Sequence, residues 1–583
     1  MHLLSRRPSR WAAGAALLAL AGAAHAQGPA AKPFQLVNGD RVVFYGDSIT
    51  DQRLYTTLVE NYVVTRFPRL NVSFVHSGWG GDRVGGGGGG PIDVRLQRDV
   101  IAYKPTVMTI MLGMNDGGYK AFDQGIFDTY TSGYTHIIDT AQAALPNVRL
   151  TLIQPSPYDD VTRAAGFPGG YNATLLRYGQ WVQETAAKDH ETFADLNTPV
   201  TAMLQKANAL DPSQAQKIIP DRVHPGPAGH MIMAEALLKA WNAPALVTSV
   251  KIDAARGRVV QASNTVVSAV KAGPVVSWTQ TDSALPLPVD SGDPSVALVL
   301  KSSDFTDALD QEPLQVTGLK PATRYTLTID GQEAGDFTSE QLAAGINLAT
   351  LPTPMAQQAR KVMGLTSRHN DQHFTRWRTI QVPLQDHKTP AVLAALPPLL
   401  AALDTEEAAT VAERHEAAQP VPHHYTLTAA LPASTGPNLA LGKKYVTDNP
   451  NTYGYGAGGL TDGSWAADGQ HTFASDDKAI FPKSVTIDLE KPASVGEVVA
   501  GVPPFGSTKT IAVSVSADGA KYTDVGAYAF SQHDEERHQY RFAPVTTRFV
   551  RLTYPDHYTE EAGFNANFVF TSEVEVYAAD GAQ

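Results

Sequence analysis

The 583-residue chain contains no cysteine. That excludes disulfides, thiolate metal sites, a cysteine nucleophile and lipidation of a mature N-terminal cysteine, so each domain must be stabilised by packing. Charged residues make up only 18% of the chain and sum to −12 at pH 7. A chain short of basic charge is a poor partner for nucleic acid or an anionic membrane. Long apolar runs are also scarce. The one candidate, Trp11–Ala24, falls short of the roughly 20 residues that span a bilayer, so no membrane span is expected. It follows Arg6, Arg7 and Arg10 and precedes Ala24-His25-Ala26, which together have the form of a signal peptide over residues 1–26. An exported protein, periplasmic or extracellular, is the expectation. Arg6-Arg7 leaves both the general and the twin-arginine route open. Cleavage after Ala26 removes three arginines and no acid, leaving −15.

A chain this long exceeds one hydrophobic core. From Arg41 to about Ala245, apolar β-rich runs alternate with helical patterns, which predicts an α/β domain with a mainly parallel sheet over residues 33–246. Its strands are expected at Arg41–Tyr45, Val72–His76, Thr106–Leu112, Arg149–Gln154 and Thr192–Leu196. Helices are expected between them, and a last one after Pro227. The tract Gly85–Gly90 reads as a loop. Residues 247–339 show short alternating strands with turn signals such as Asp330-Gly331 and predict a β-sandwich. Residues 340–431 are Ala/Leu/Gln-rich and predict a helical segment and linker, broken at Pro352, Pro354 and Pro397-Pro398. Residues 437–581 are again all-β.

Four segments of the first domain carry chemistry. Gly46-Asp47-Ser48 ends the first strand and exposes Ser48 at the carboxyl edge of the sheet. His76-Ser77-Gly78-Trp79-Gly80-Gly81-Asp82 follows the second strand and offers backbone N–H groups. Gly113-Met114-Asn115-Asp116 follows the third and offers an uncharged amide donor. Asp221-Arg222-Val223-His224 places a carboxylate three residues before an imidazole, a spacing that lets Asp221 orient His224 as a general base. Each segment alone also reads as an ordinary turn or helix cap. Asp47, Asp51, Asp82 and Asp116 are read as caps and loop anchors. His369 and His373, like His423 and His424, are read as solvated surface.

In order and residue type these segments resemble the four blocks of the SGNH, or GDSL, hydrolase superfamily. The resemblance covers residues 36–245 and implies a flavodoxin-like α/β fold and serine esterase chemistry without a cofactor. It implies Ser48 as nucleophile, His224 as base and Asp221 as its partner. Ser48, Gly81 and Asn115 form the implied oxyanion hole, with Gly78 and Gly80 competing for the place of Gly81. No G-x-S-x-G elbow is present, which speaks against an α/β-hydrolase.

Asn438-Leu439-Ala440, Leu460-Thr461-Asp462-Gly463, Ser484–Leu489, Arg548–Leu552 and Glu573–Tyr577 resemble the discoidin-like, galactose-binding sandwich of coagulation-factor type C domains, with Phe473 where relatives often have tryptophan. That resemblance implies a carbohydrate-binding module. Tyr453, Tyr455, Trp465 and His471 are its candidate sugar contacts, each with packing as the alternative, and Asp462 and Asp468 are candidates for a structural calcium. The expected substrate is an acylated, most simply acetylated, polysaccharide or oligosaccharide. A lipase or lysophospholipase, or a glycan-binding protein with an inert hydrolase domain, are the alternatives. Glycan identity, acyl group and oligomeric state are not legible.

Overall fold

The structure is a computed structural model, which describes residues 33–430, 436–454, 459–561 and 563–579. Residues 1–26, where a signal peptide is expected, and Tyr455 lie outside the described residues.

The first domain is built on a parallel sheet of β1 (Arg41–Gly46), β2 (Ser73–Gly78), β5 (Val107–Met111), β6 (Arg149–Ile153) and β7 (Thr192–Ala194), in the order β2-β1-β5-β6-β7. That is the flavodoxin-like order, with its switch point beside β1. Val-Val-Phe-Tyr in β1 is buried on both faces, as a central parallel strand requires. Around the sheet lie α1 (Ser48–Asp51), α2 (Leu54–Arg66), α3 (Ile92–Asp99), α4 (Gln124–Ala144), α5 (Gly170–Asp189), α6 (Thr198–Leu210), α7 (Pro212–Ile218) and α8 (Pro227–Ala240). The expected strands and helices thus appear with small shifts at their ends. The glycine tract differs from its reading as plain loop. Gly86–Gly87 (β3) pairs with Gly90–Pro91 (β4) in a short antiparallel hairpin. Gly86 and Gly90 have φ of +94° and +114°, which glycine adopts without strain.

Two sheets form the second domain. One has the order Thr265–Lys271, Val275–Asp282, Pro422–Ala429, Arg324–Ile329, Gln332–Thr338, and the other runs Ile346–Asn347, Pro313–Thr317, Ser249–Asp253, Arg258–Ser263. Their shared core includes Ile252, Trp278, Val316, Leu327 and Tyr425. Pro422–Ala429, which falls in the segment read as helix and linker, is therefore the central strand of the larger sheet. The helices Pro354–Phe374 and Pro390–Ala417 form an insertion into the sandwich ahead of that strand. Pro354 occupies the first turn of its helix, where a missing N–H costs nothing. Pro397 and Pro398 do not break theirs; the helix runs through both and forgoes two backbone donors.

The C-terminal domain is a β-sandwich built on long strands Lys483–Val502 and Glu536–Tyr554, whose core includes Val485, Ile487, Val550, Leu552 and Phe473. Phe473 is buried, edge-on to Tyr445. Arg541 of this domain pairs with Asp336 of the second at 2.9 Å.

Candidate active site

Ser48 begins α1 directly after β1. The buried Asp47 caps that helix, its carboxylate accepting the Ile49 N–H at 3.0 Å, and burial pushes its pKa up to about 7. Ser48 Oγ lies 2.8 Å from His224 Nε2. His224 Nδ1 lies 2.6 Å from Asp221 Oδ2, and Asp221 Oδ1 accepts the N–H groups of Val223 and His224. Partial burial alone would raise Asp221, but those backbone N–H groups and the ring outweigh it and hold it below the usual carboxylate value. A carboxylate charged in this way fixes the imidazole with Nδ1 protonated and Nε2 free to accept from Ser48. The loop between them is held open by Arg222, at φ +73°, whose guanidinium reaches the Asp159 carbonyl and the Asp160 carboxylate.

A second histidine stands behind the first. His230 on α8 accepts the Tyr55 N–H at Nδ1 and faces Gln52 Oε1 with Nε2, while Gln52 Nε2 donates to the Pro225 carbonyl, one residue past His224. Burial and the neighbouring His224 push His230 down to about 3, so it stays neutral and structural.

The donors face the same edge. The Ser48 N–H, in the first turn of α1, has no intrahelical acceptor. Gly80 commits its N–H to Asp51 Oδ2 at 3.0 Å, and Gly78 closes β2. Among the described residues the Gly81 N–H has no acceptor, and its φ of +78° aims the peptide away from the strand path. Of the two glycines that follow β2, Gly81 is thus the one whose N–H is uncommitted. Asn115 Nδ2 donates one hydrogen to the Asp82 carbonyl at 3.1 Å, and its Oδ1 accepts from Tyr119 at 2.9 Å, which orients the amide and leaves its other hydrogen available. Asp51, Asp82 and Asp116 anchor loops, through Gly80, Arg95 and the Val84 N–H respectively. Tyr119 and His230 carry no sequence signal of their own; their parts appear only through their partners.

Two readings of histidines as solvated surface are corrected. His369 and His373 are about 4% exposed, because their helix packs on the hydrolase domain and turns them toward Glu60 and Glu407. His423 is buried and pairs with Asp330 at 2.6 Å, whereas His424 is exposed as read.

In the C-terminal domain Trp465 donates to Glu575 and is covered on one face by the Arg537 guanidinium at 4.1 Å. His471 pairs with Asp462 at 2.7 Å. Tyr453 is exposed and bonded instead to Asp477, so it belongs to a different patch. Both Asp468 bonds, to the N–H groups of Gln470 and His471, are those of a turn. The better companion for Asp462 is Glu573, whose Oε1 is buried without a partner and which burial and the Asp462 charge push up to about 8. Among the described residues no group of three or more His, Asp or Glu side chains converges for a metal. A cation here would therefore draw the rest of its oxygens from backbone carbonyls.

A flavodoxin-like sheet carries serine, histidine and aspartate in hydrogen-bond reach at its carboxyl edge, a geometry compatible with serine acyl transfer. The chain carries a GDSL-like lipase/acylhydrolase domain, matched over residues 44–232, and a NedA-like galactose-binding domain, matched over residues 460–552. The first places it with the carboxylic ester hydrolases. An acetylxylan esterase of Geobacillus stearothermophilus is 26% identical over 227 residues, which are 35% of this chain and 94% of that protein. The solved structure of BT4096, a gut microbial diltiazem-metabolizing enzyme, is similar at 28% identity and a TM-score of 0.59. That match covers 68% of this chain and 99% of the other, so it extends beyond the hydrolase domain.

Proposed function

We propose that the protein is an exported esterase that removes short acyl groups, foremost acetyl, from polysaccharides or their fragments. The observation that carries the chemistry is the Asp221–His224–Ser48 line, at 2.6 and 2.8 Å. Ser48 Oγ attacks the acyl carbonyl while His224 Nε2 takes its proton. The tetrahedral oxyanion is met by the N–H groups of Ser48 and Gly81 and by the free hydrogen of Asn115 Nδ2. His224 returns the proton to the departing sugar hydroxyl, and water then repeats the sequence on the acyl-serine, releasing the acid and restoring Ser48. Asp221 keeps its charge throughout and stabilises the imidazolium.

The carbohydrate part of the reading is supported by the likeness to an acetylxylan esterase and by the galactose-binding-like domain on the same chain. In that domain Trp465 and His471 are the favoured sugar contacts. Asp462 and Glu573, with nearby carbonyls, would hold a structural calcium, a hard ion suited to an all-oxygen site. Incubating acetylated xylan, pectin and xyloglucan fragments with the enzyme and following them by mass spectrometry tests the reading. Loss of acetyl groups that disappears with Ser48→Ala is the expected result. Faster hydrolysis of long-chain lipid esters with no acetate release would replace the substrate class, and activity retained in Ser48→Ala would remove Ser48 from its role.

A further inference from the structure

The insertion that interrupts the second domain reaches the loop proposed to bind the oxyanion. Helix Pro354–Phe374 does not stop at its end but widens into a π-helix over Thr375–Gln381. π-Helical turns are uncommon and recur at functional sites. This one points Trp377 and Arg378 at the hydrolase domain. The Arg378 guanidinium stacks on the Trp79 ring, with its carbon 3.1 Å from the centroid. Its nitrogens lie 3.5 Å from the Gly78 carbonyl and 3.7 Å from Asp51 Oδ2. Trp377 is buried, meets Trp79 edge-on at 5.6 Å and donates its indole N–H to Asp99 Oδ1 at 2.6 Å.

Both contacts lead to Gly81, from opposite sides. Asp51, which Arg378 approaches, accepts the Gly80 N–H. Asp99, which Trp377 holds, pairs with the fully buried Arg95, and Arg95 in turn donates to Asp82 Oδ2 at 2.7 Å and to the Ser77 carbonyl at 2.8 Å. The Asp82 carbonyl is the acceptor that orients Asn115. Gly80 and Asp82 flank Gly81, so the peptide that presents the Gly81 N–H is fixed at both ends by groups the insertion secures. Burial raises both Asp51 and Asp82, and the guanidinium charges of Arg378 beside the first and Arg95 beside the second oppose that rise.

We propose that Trp377 and Arg378, supplied by the insertion, are positioning residues that hold the 78–82 loop and Asn115 in oxyanion-binding geometry. The inference rests on the esterase reading above. The second domain is on this view part of the catalytic apparatus, since donor placement errors of about 1 Å can cost on the order of a hundredfold in rate.

The test uses the full chain with Arg378→Ala, Arg378→Lys and Trp377→Phe. The last keeps an aromatic ring but removes the indole N–H that bonds Asp99 and part of the buried ring volume. Expected is a fall in kcat of about ten- to a hundredfold for Arg378→Ala, with KM changed far less. Arg378→Lys should recover part of the loss, because it returns a cation near Asp51 without the flat stack. Affinity for a trifluoromethyl ketone, which forms a tetrahedral adduct with the nucleophile, should fall in step with kcat/KM. Amide hydrogen exchange of the 78–83 segment should accelerate in Arg378→Ala and Trp377→Phe, whether or not any ester is hydrolysed. Unchanged exchange there would overturn the brace. So would kcat within twofold of wild type in both variants, or a loss seen only in step with a lowered melting temperature. A wild-type enzyme inactive on every ester would instead overturn the esterase reading, while the exchange measurement still decides the brace.

Discussion

His369 should make the seating of the insertion on the hydrolase domain depend on pH, and His369→Gln should remove that dependence. The ring is enclosed by charge from three elements. Glu60 of α2 lies 3.1 Å from Nδ1 and Glu407 of helix Pro390–Ala417 lies 3.0 Å from Nε2. Arg414 of that helix pairs with Glu60, as does His76 of β2 at 3.0 Å, and His373 faces Glu407. Burial opposes the imidazolium, but the nearby Glu60 charge and the bond to Glu407 overcome it and raise His369 from 6.5 to about 9. A raised folded-state pKa contributes stability that is complete below the unfolded value and is lost as pH climbs through the folded one. The contribution is therefore full below about pH 6.5 and gone above about pH 9, and at its greatest amounts to about 3 kcal/mol. Glu60 and Glu407 are both lowered, so their contribution is also stabilising but has the opposite pH dependence, present at neutral pH and lost as pH falls below the normal carboxylate range. The assay is hydrogen exchange of helix Pro354–Phe374 across about pH 6 to 9, corrected for intrinsic rates. Local opening is preferable to a global free energy, because a chain of three domains need not unfold in two states. Wild type should be about a hundredfold better protected than His369→Gln near pH 6, the gap closing toward pH 9. A gap that stays constant, or widens with pH, would refute the assignment of an imidazolium to this site.

Three further outcomes follow from the site geometry. Asn115→Ala should lower kcat by about 10²- to 10³-fold, and Tyr119→Phe, which leaves the amide oriented by the Asp82 carbonyl alone, by only several-fold, both read on a soluble acetyl ester. Asp221→Asn should lower kcat by about three to four orders of magnitude at unchanged fold, measured alongside circular dichroism, because the amide no longer enforces the Nδ1-protonated tautomer. Calcium should raise the melting temperature of the intact chain relative to chelator, and Glu573→Gln should abolish that increment; an equal calcium effect in the variant would remove Glu573 from the ion's shell.

How far each feature could be read from sequence follows from how local its cause is. The α/β domain was legible because burial imposes itself on consecutive residues: Val42–Tyr45 must be apolar throughout to lie in mid-sheet, and Asp221 must stand three residues before His224 to share its turn. The strand Pro422–Ala429 does alternate, with His423, Tyr425 and Leu427 turned inward. What its sequence cannot carry is that it pairs with Val275–Asp282 and Arg324–Ile329, strands far upstream of it and separated from it by a helical insertion. The same distance hid the roles of His369 and Trp377. A histidine pair four residues apart on a polar helix is surface until another domain brings a carboxylate to it, and Glu60 lies more than three hundred residues away in the chain. Trp377 and Arg378 likewise acquire a role only because Asp99, Trp79 and Asp51 stand across the interface. The Gly78 position shows why that interface tolerates little change. A Cβ there would come within 2.2 Å of the Asp51 backbone nitrogen, so α1 can sit against β2 only over a glycine. The nucleophile, the Gly80 anchor and the surface that receives Arg378 are thus fixed by one close approach, and a shift in any of them is transmitted to the other two.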